Sequence, residues 1–318
     1  MSADVRISYV GAPEGFEALE NLIAGRAECR HVAAEPDAVR AALQESDGFL
    51  DASMKVRLDD GMLAAAPRLK VISTATTGSD HIAREALAAR DVPVHTLRED
   101  PELLRNITPA AELSWALVLA CARRLTPAQA HVRDGGWTRE LFPGLMLNGR
   151  TLGLAGCGRI GQWMARYATA FGMRVVGYDP HVSPWPETIE RLPLDRVVAA
   201  ADVLSVHVHL SEETKGLIDA DVLAGARPGL IVINTSRGGI VDEAALLDGL
   251  ESGRIGAAGL DVLEGEPETA DHPLVAYART HDNLIITPHC GGFSPDAVRV
   301  VCRRAAEKIA RHLDLPET

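Results

Sequence analysis

A surplus of positive charge, paired cysteines and long apolar runs are all missing from this sequence, and each absence removes a class of function. The 318 residues carry 32 Lys and Arg against 44 Asp and Glu, a formal net charge of −12. That balance argues against binding a nucleic-acid backbone or an anionic membrane surface. The five cysteines (Cys29, Cys121, Cys157, Cys290 and Cys302) are odd in number, scattered and never spaced as CxxC. They read as reduced thiols of a cytoplasmic protein, with no disulfide framework and no metal site expected. No apolar stretch approaches the roughly 18–20 residues of a membrane span. No charged-then-apolar leader precedes the first strand-like run, so secretion is not expected. What remains, 47% hydrophobic and 24% charged residues, is a globular composition long enough for two domains.

The most informative stretch is 151–179, TLGLAGCGRIGQWMARYATAFGMRVVGYD. An apolar run leads into Gly156-Cys157-Gly158-Arg159-Ile160-Gly161. Helical spacing follows through Met164, Tyr167, Ala168 and Phe171, and a second apolar run closes on Asp179. Strand, glycine turn, helix, strand and acid is the order a dinucleotide site needs. Gly156 permits the tight turn, Gly158 lets the backbone approach a pyrophosphate, and Gly161 lets helix pack on strand. Free N–H groups at the helix start then face the phosphates. Asp179, about 20 residues beyond the glycines, can accept from an adenosine ribose. A ligand-free glycine turn is the ordinary alternative, and the full context disfavours it.

Before this stretch, strand-like runs at 5–10, 31–33, 49–50, 69–74 and 92–96 alternate with helix-like runs at 14–24, 37–43, 59–65 and 82–88. Such alternation predicts right-handed crossovers and a mostly parallel sheet. The loop Thr76-Thr77-Gly78-Ser79-Asp80 follows a strand's C-terminal end, where ligand crevices form. Residues 97–107, with Arg98, Glu99, Asp100 and Arg105, read as a polar hinge loop. Thr108 is placed as an N-cap with Pro109 at the first helical position. The helix that follows is apolar on nearly every face, around Leu113, Ala116, Leu117 and Ala120, and is expected to be buried. Residues 131–149 look irregular, an exposed arm with Trp137 and Phe142 that suits a subunit contact or a local lid. Beyond 179, strands are expected at 203–208, 230–234, 257–262 and 284–287, with helices at 194–200, 221–224, 242–252 and 294–313.

Three residues that could do chemistry each follow a strand in this second half: Arg237 in NTSRG, Glu266 in DVLEGEPE and His289 in TPHCGG. All belong to the sheet edge that holds the glycine turn, so they can converge on the nicotinamide end of a dinucleotide. Moving a hydride between a secondary alcohol and a nicotinamide also moves one proton, and histidine is the best-matched acid/base near neutrality. A neighbouring carboxylate favours the imidazolium and orients the ring. A guanidinium grips a substrate carboxylate with paired hydrogen bonds and polarises the adjacent carbonyl. His289, Glu266 and Arg237 fill these roles in turn. Taken singly, each could be a solvated arginine, a turn histidine or a loop acid; together beside a dinucleotide fingerprint they are better explained as a site. His207 and His209 lack a carboxylate or thiol partner for a metal, and Cys290 points away from His289 on an extended segment.

The motifs TTGSDHI, AAELSWALVLACARR, GLAGCGRIG, GYDP, ADVLSVHVHLSEET, VINTSRGGIVDE, AGLDVLEGEP and TPHCGG, in this order, closely resemble the D-isomer-specific 2-hydroxyacid dehydrogenase family. The resemblance runs from about Leu69 to the last helix. It implies an α/β protein of two Rossmann-like, doubly wound parallel-sheet domains: a discontinuous flavodoxin-like substrate domain over 1–100 and 288–318, and an NAD-binding domain over 101–287. It implies a cofactor in the cleft and a homodimer built through the nucleotide domain. It assigns Arg237, Glu266 and His289 as catalytic, and the backbone of Thr77 and Gly78, with Arg237 and His289, to the substrate. It assigns cofactor contacts to Gly156, Gly158, Arg159, Ile160, Gly161, Asp179, His207, Thr214, Thr235, Ser236, Asp261 and Gly291, with Asp261 meeting the nicotinamide carboxamide.

Departures from the pattern narrow the expectation. The family usually has proline where His209 stands, and the 97–107 loop is a few residues longer than is common. Phosphoglycerate dehydrogenases of this family have arginines in the loops corresponding to Asp51 and Thr74, and a phosphate needs such donors. The chain ends with the core helix, so no C-terminal regulatory domain is expected. The expected activity is NAD-dependent interconversion of a small 2-keto acid, glyoxylate or hydroxypyruvate first, with its D-2-hydroxy acid. Asp179 would repel the 2′-phosphate of NADP, which favours NAD. The alternatives are an NADH-sensing, corepressor-like binding protein and a D-3-phosphoglycerate dehydrogenase.

Overall fold

A computed structural model describes residues 5–316; residues 1–4 and 317–318, the ends of the expected substrate domain, lie outside it. The chain begins β1 (Arg6–Val10), α1 (Pro13–Ile23), β2 (Glu28–Val32), α2 (Pro36–Glu45) and β3 (Gly48–Asp51). It continues α3 (Asp60–Ala64), β4 (Val71–Thr74), α4 (Arg84–Ala88), β5 (Val94–His95) and α5 (Pro101–Leu104). Next come α6 (Pro109–Ala122), α7 (Leu125–Arg133), β6 (Thr151–Ala155), α8 (Arg159–Ala170), β7 (Arg174–Tyr178) and β8 (Glu190–Arg191). Then follow α9 (Leu194–Ala200), β9 (Val203–Val206), α10 (Ala220–Ala224), β10 (Leu230–Asn234) and α11 (Glu243–Glu251). β11 (Ile255–Leu260), α12 (Pro273–Ala278), β12 (Leu284–Ile286) and α13 (Pro295–His312) complete it.

Two compact units form, one from Met1–Ile107 with Phe293–Thr318 and one from Thr108–Gly292. Residues 101–107 therefore belong with the first unit and 288–292 with the second, both displaced from the boundaries expected at 100/101 and 287/288. The second displacement has a clear cause, the carboxylate of Asp261. It accepts from the N–H groups of Cys290 (2.9 Å) and Gly291 (2.7 Å), and so ties the loop after β12 to the second unit.

The first unit holds a five-stranded parallel sheet in the order β2-β1-β3-β4-β5, the flavodoxin-like arrangement. β3 (GFLD) and β4 (VIST) are buried throughout, as strands covered on both faces must be. One face packs Leu19 and Ile23 of α1 with Ala305 and Ile309 of α13; the other packs Leu43 of α2, Leu63 of α3 and Leu87 of α4.

The expected hinge loop is instead folded onto this unit. Leu97 and Leu104 enter the core, and Asp100, 7% exposed, sits between Arg304 Nε at 2.6 Å and Lys308 Nζ at 2.5 Å. Buried Lys308 also donates to the Thr96 carbonyl (2.7 Å) and to Glu99 Oε2 (3.0 Å). Burial alone would raise the Asp100 pKa, but Lys308 and Arg304 outweigh it and hold the carboxyl below its usual range. Asp100 is thus sequestered by partners on α13, while Arg98, Glu99 and Arg105 stay exposed.

The second unit holds a seven-stranded parallel sheet, β12-β11-β10-β9-β6-β7-β8. From the β8 edge to β11 this is the 3-2-1-4-5-6 order of dinucleotide-binding folds, with β12 added beyond it. Thr108 stands at the N-cap of α6 with Pro109 first in the helix, as expected, but its side chain makes no capping bond; its Oγ1 instead donates to Glu112 Oε1 at 2.5 Å. α6 buries Ala111, Ser114, Trp115, Leu117, Val118, Cys121 and Ala122, while Glu112 and Ala116 lie on an exposed flank. The expected irregular arm begins inside α7, and beyond it Trp137 and Met146 are 88% and 72% exposed.

Candidate active site

The turn between β6 and α8 is built for a close-approaching ligand. Gly156 has φ +99°, and a Cβ there would lie 2.4 Å from the His207 carbonyl oxygen. A Cβ on Gly161 would lie 2.2 Å from the Gly156 carbonyl oxygen, so glycine is needed for helix to meet strand. Gly158 is the N-cap of α8, has no side chain to accept from the first turn, and has open space where a Cβ would stand. An open cradle before the positive end of a 12-residue helix fits a dinucleotide pyrophosphate. Arg159 and Ile160, half-buried, begin that helix.

Asp179, just past β7, is pinned beside the turn. Its Oδ2 accepts from Cys157 N (2.9 Å), and its Oδ1 from His181 N (2.8 Å) and Val182 N (3.0 Å). Burial pushes the Cys157 thiol up to about 12, which keeps it protonated. His207 lays its backbone against Gly156 while its Nε2 meets Ser205 Oγ at 2.8 Å. Desolvation lowers its pKa to about 3, so the ring stays neutral. Thr214 Oγ1 donates to the His209 carbonyl at 2.6 Å and shapes the turn after β9. Among the described residues no group of three His, Cys, Asp or Glu is gathered for a metal.

β10, β11 and β12 are parallel neighbours, so the loops at their C-terminal ends lie side by side. After β10, buried Asn234 organises the turn: its Oδ1 accepts from Ser236 N (3.0 Å) and its Nδ2 donates to the Arg237 carbonyl (2.9 Å). Ser236 Oγ donates to the Val206 carbonyl at 2.8 Å, and Thr235 Oγ1 meets Ser114 Oγ on α6 at 2.7 Å. Both hydroxyls thus have partners within the protein. Arg237, half-buried, donates from Nη1 to the Ser236 carbonyl at 2.7 Å. A Cβ on the next residue, Gly238, would lie 2.1 Å from Glu264 N, so the Arg237 turn packs directly on the loop that carries Glu266.

Glu266 and His289 meet. His289 Nδ1 lies 2.7 Å from Glu266 Oε1, with both side chains about one-third exposed, at 35% and 28%. That contact leaves Nε2 as the ring nitrogen available to a substrate. His289 has φ +51°, a conformation costly for a side chain outside glycine, and it is held there by its own N–H to the Asp261 carbonyl at 2.8 Å. The Asp261 side chain, 1% exposed, also takes Thr287 Oγ1 at 2.5 Å. Asp261 therefore serves as the clamp of the His289–Gly291 loop, a role the carboxamide assignment did not anticipate.

In the first unit, Thr77 and Gly78 lie half-buried past β4, where Thr76 Oγ1 donates to the Gly78 carbonyl at 2.7 Å. At the end of β3, Asp51 accepts from Ser53 N and Met54 N through Oδ1 and pairs with His81 Nε2 at 2.9 Å through Oδ2. Sequence reading missed His81, Asn234 and Ser114. Asn234 was within reach, since an Asn ending a strand before Thr-Ser commonly builds such a turn.

The family model described as D-isomer specific 2-hydroxyacid dehydrogenase, NAD binding domain, matches residues 115–291, and the catalytic-domain model of the same family matches residues 7–99. The chain is 43% identical over 264 residues to D-3-phosphoglycerate dehydrogenase of Mycobacterium tuberculosis, covering 82% of this chain and 48% of that one. It thus spans about half the length of those relatives. It is 35% identical over 282 residues to hydroxypyruvate reductase of Thermotoga maritima, covering 88% and 89% of the two chains. The solved TT0316 protein from Thermus thermophilus superposes with a TM-score of 0.86 at 35% identity, covering 98% of each chain. With both halves matched in order and a dinucleotide-binding sheet in the second, the chain belongs to the D-isomer-specific 2-hydroxyacid dehydrogenase family, and its second unit is that family's NAD-binding domain.

Proposed function

We propose that the protein is an NAD-dependent oxidoreductase that reduces a small, unphosphorylated 2-keto acid to its D-2-hydroxy acid and catalyses the reverse. The 2.7 Å contact between His289 Nδ1 and Glu266 Oε1 at the edge of the NAD-binding sheet carries this reading. NADH, when bound, supplies the hydride. Glu266 orients the imidazole through Nδ1, and His289 Nε2 delivers the proton to the carbonyl oxygen. Arg237 grips the substrate carboxylate and polarises the carbonyl. Asp179 beside the glycine turn favours NAD over NADP.

Glyoxylate and hydroxypyruvate are the first candidates. The Thermotoga relative, similar along nearly its whole length, is named for hydroxypyruvate. A 3-phosphorylated substrate is favoured by identity to the mycobacterial relative but disfavoured by Asp51, a carboxylate held by Ser53, Met54 and His81 where a phosphate would want a cation. A panel of glyoxylate, hydroxypyruvate, pyruvate and 3-phosphohydroxypyruvate, followed by NADH oxidation, tests the assignment. Highest kcat/KM on an unphosphorylated acid supports it; preference for the phosphorylated one overturns it. Tight NADH binding with no turnover on any would make the protein an NADH sensor. The arm around Trp137 is the proposed homodimer contact in the cytoplasm, and light scattering of Trp137→Glu should report a monomer where the parent reports a dimer.

A further inference from the structure

We propose that Glu243 and His272 form a positioning clamp that holds the Glu266 loop in register with Arg237. This rests on the assignment of Glu266 and His289 as the acid/base pair. Glu243 is the first residue of α11, and its two carboxylate oxygens hold opposite ends of one loop. Oε1 accepts from Glu264 N at 2.9 Å, and Oε2 meets His272 Nε2 at 2.8 Å. Glu266 lies between those two anchor points. The ring of His272 has a defined tautomer: Nδ1 accepts from Leu274 N at 3.2 Å to cap α12, so Nε2 carries the proton given to Glu243. Both side chains are largely buried, at 13% and 14% exposure, where charge-assisted hydrogen bonds are strongest.

The near end of α11 connects to the other catalytic loop. Six residues before Glu243 stands Arg237, and Gly238 abuts the Leu263–Glu264 backbone with no room for a Cβ. The segment 237–243 therefore touches the Glu266 loop twice, through Gly238 and through Glu243. A 2.7 Å contact between Glu266 and His289 depends on loop placement to within a few tenths of an ångström, and misplacement by about 1 Å costs on the order of a hundredfold in rate. Glu243 touches neither Glu266 nor His289 in any hydrogen bond among the described residues. It acts through the backbone.

Two variants separate positioning from simple folding. Glu243→Gln can satisfy only one of its two partners, because its amide offers one acceptor where two are needed. His272→Asn keeps an acceptor to cap α12 while withdrawing from Glu243. The clamp predicts that each lowers kcat for keto-acid reduction by about ten- to a hundredfold and leaves the NADH Kd within about twofold. It further predicts that Glu243→Gln adds no loss when combined with Glu266→Gln. Wild-type kcat with only a lowered Tm, or full additivity with Glu266→Gln, overturns the clamp. Full turnover in Glu266→Gln and His289→Gln overturns the underlying acid/base assignment instead, so the two failures are distinct.

Discussion

The two units place a strand, a glycine-containing turn and a helix at corresponding points in their sheets and use them in opposite ways. Between β6 and α8 the turn is open, with no atom within 4 Å of a Cβ built on Gly158. Between β1 and α1 the turn is filled by the unit's own Tyr9, whose hydroxyl donates to the Ala12 carbonyl at 2.8 Å. A Cβ on Gly11 would lie 2.4 Å from that hydroxyl oxygen, and one on Gly15 would lie 2.1 Å from it. Glycine thus makes room for a ligand in one unit and for a buried tyrosine in the other. The Tyr9 phenol is pushed well above its usual range by burial, with Cys302 and Asp51 adding to the effect, so it stays neutral and serves packing. The chemistry of a glycine turn is decided by what occupies the space, and glycine spacing is only half of that information.

The contrast yields predictions that break one unit while sparing the other. The largest concerns Lys308→Met in the first unit, which strips Asp100 of its closest partner in a buried network. It should cost about 3–5 kcal/mol of stability, read by chemical denaturation, with NADH affinity in the surviving folded protein unchanged. In the second unit, Gly158→Asp puts a carboxylate into the open cradle. It should weaken NADH binding by about a hundredfold or more, on the order of 2.7 kcal/mol, in a fluorescence titration, with little change in Tm because the added atoms meet nothing. Tyr9→Phe is the mirror image: it removes the hydroxyl's hydrogen bond to the Ala12 carbonyl, which keeps the N–H of Gly15 at 3.0 Å, should cost about 1 kcal/mol of stability, and should leave NADH affinity untouched.

The last effect is read as a pH dependence. His207 has a folded pKa near 3, below the ordinary histidine value of about 6.5, so the unfolded chain takes up a proton that the folded one refuses. Its contribution to stability is complete above about pH 6.5 and is lost as pH falls toward 3. Asp100, held below the usual carboxylate range, contributes above about pH 3.9 and loses that contribution only as pH falls through its lower folded value. Tm should therefore decline less steeply between about pH 6.5 and 4 in His207→Asn than in the parent. An unchanged slope would remove His207 from the acid response.

Much of the candidate site was legible because its residues are local in sequence. Gly156, Gly158, Gly161 and Asp179 lie within one strand–helix–strand unit, and Arg237, Glu266 and His289 each follow a recognisable strand. What was not legible depends on partners far along the chain. Asp100 reads as a solvated hinge residue because its partners, Arg304 and Lys308, lie on the last helix. Glu243 reads as an ordinary acid at a helix start, and His272 as a turn histidine before Pro273; only the fold brings them to 2.8 Å. Asp261, which the family resemblance assigns to the nicotinamide carboxamide, grips Cys290 and Gly291 and so decides which unit the His289 loop joins. Four elements, α5, α7, α12 and β8, escaped the pattern because α7 contains Pro127 and the other three are too brief for periodicity to register.

The central claim is that the edge of the second unit's sheet holds a proton-transfer pair beside a dinucleotide cradle. Its most direct test is single-turnover keto-acid reduction by the parent and by His289→Gln, both saturated with NADH whose affinity has been measured separately. The account predicts a loss of about 10²–10⁴-fold in the reduction rate with NADH affinity nearly intact. An undiminished rate in His289→Gln would contradict it.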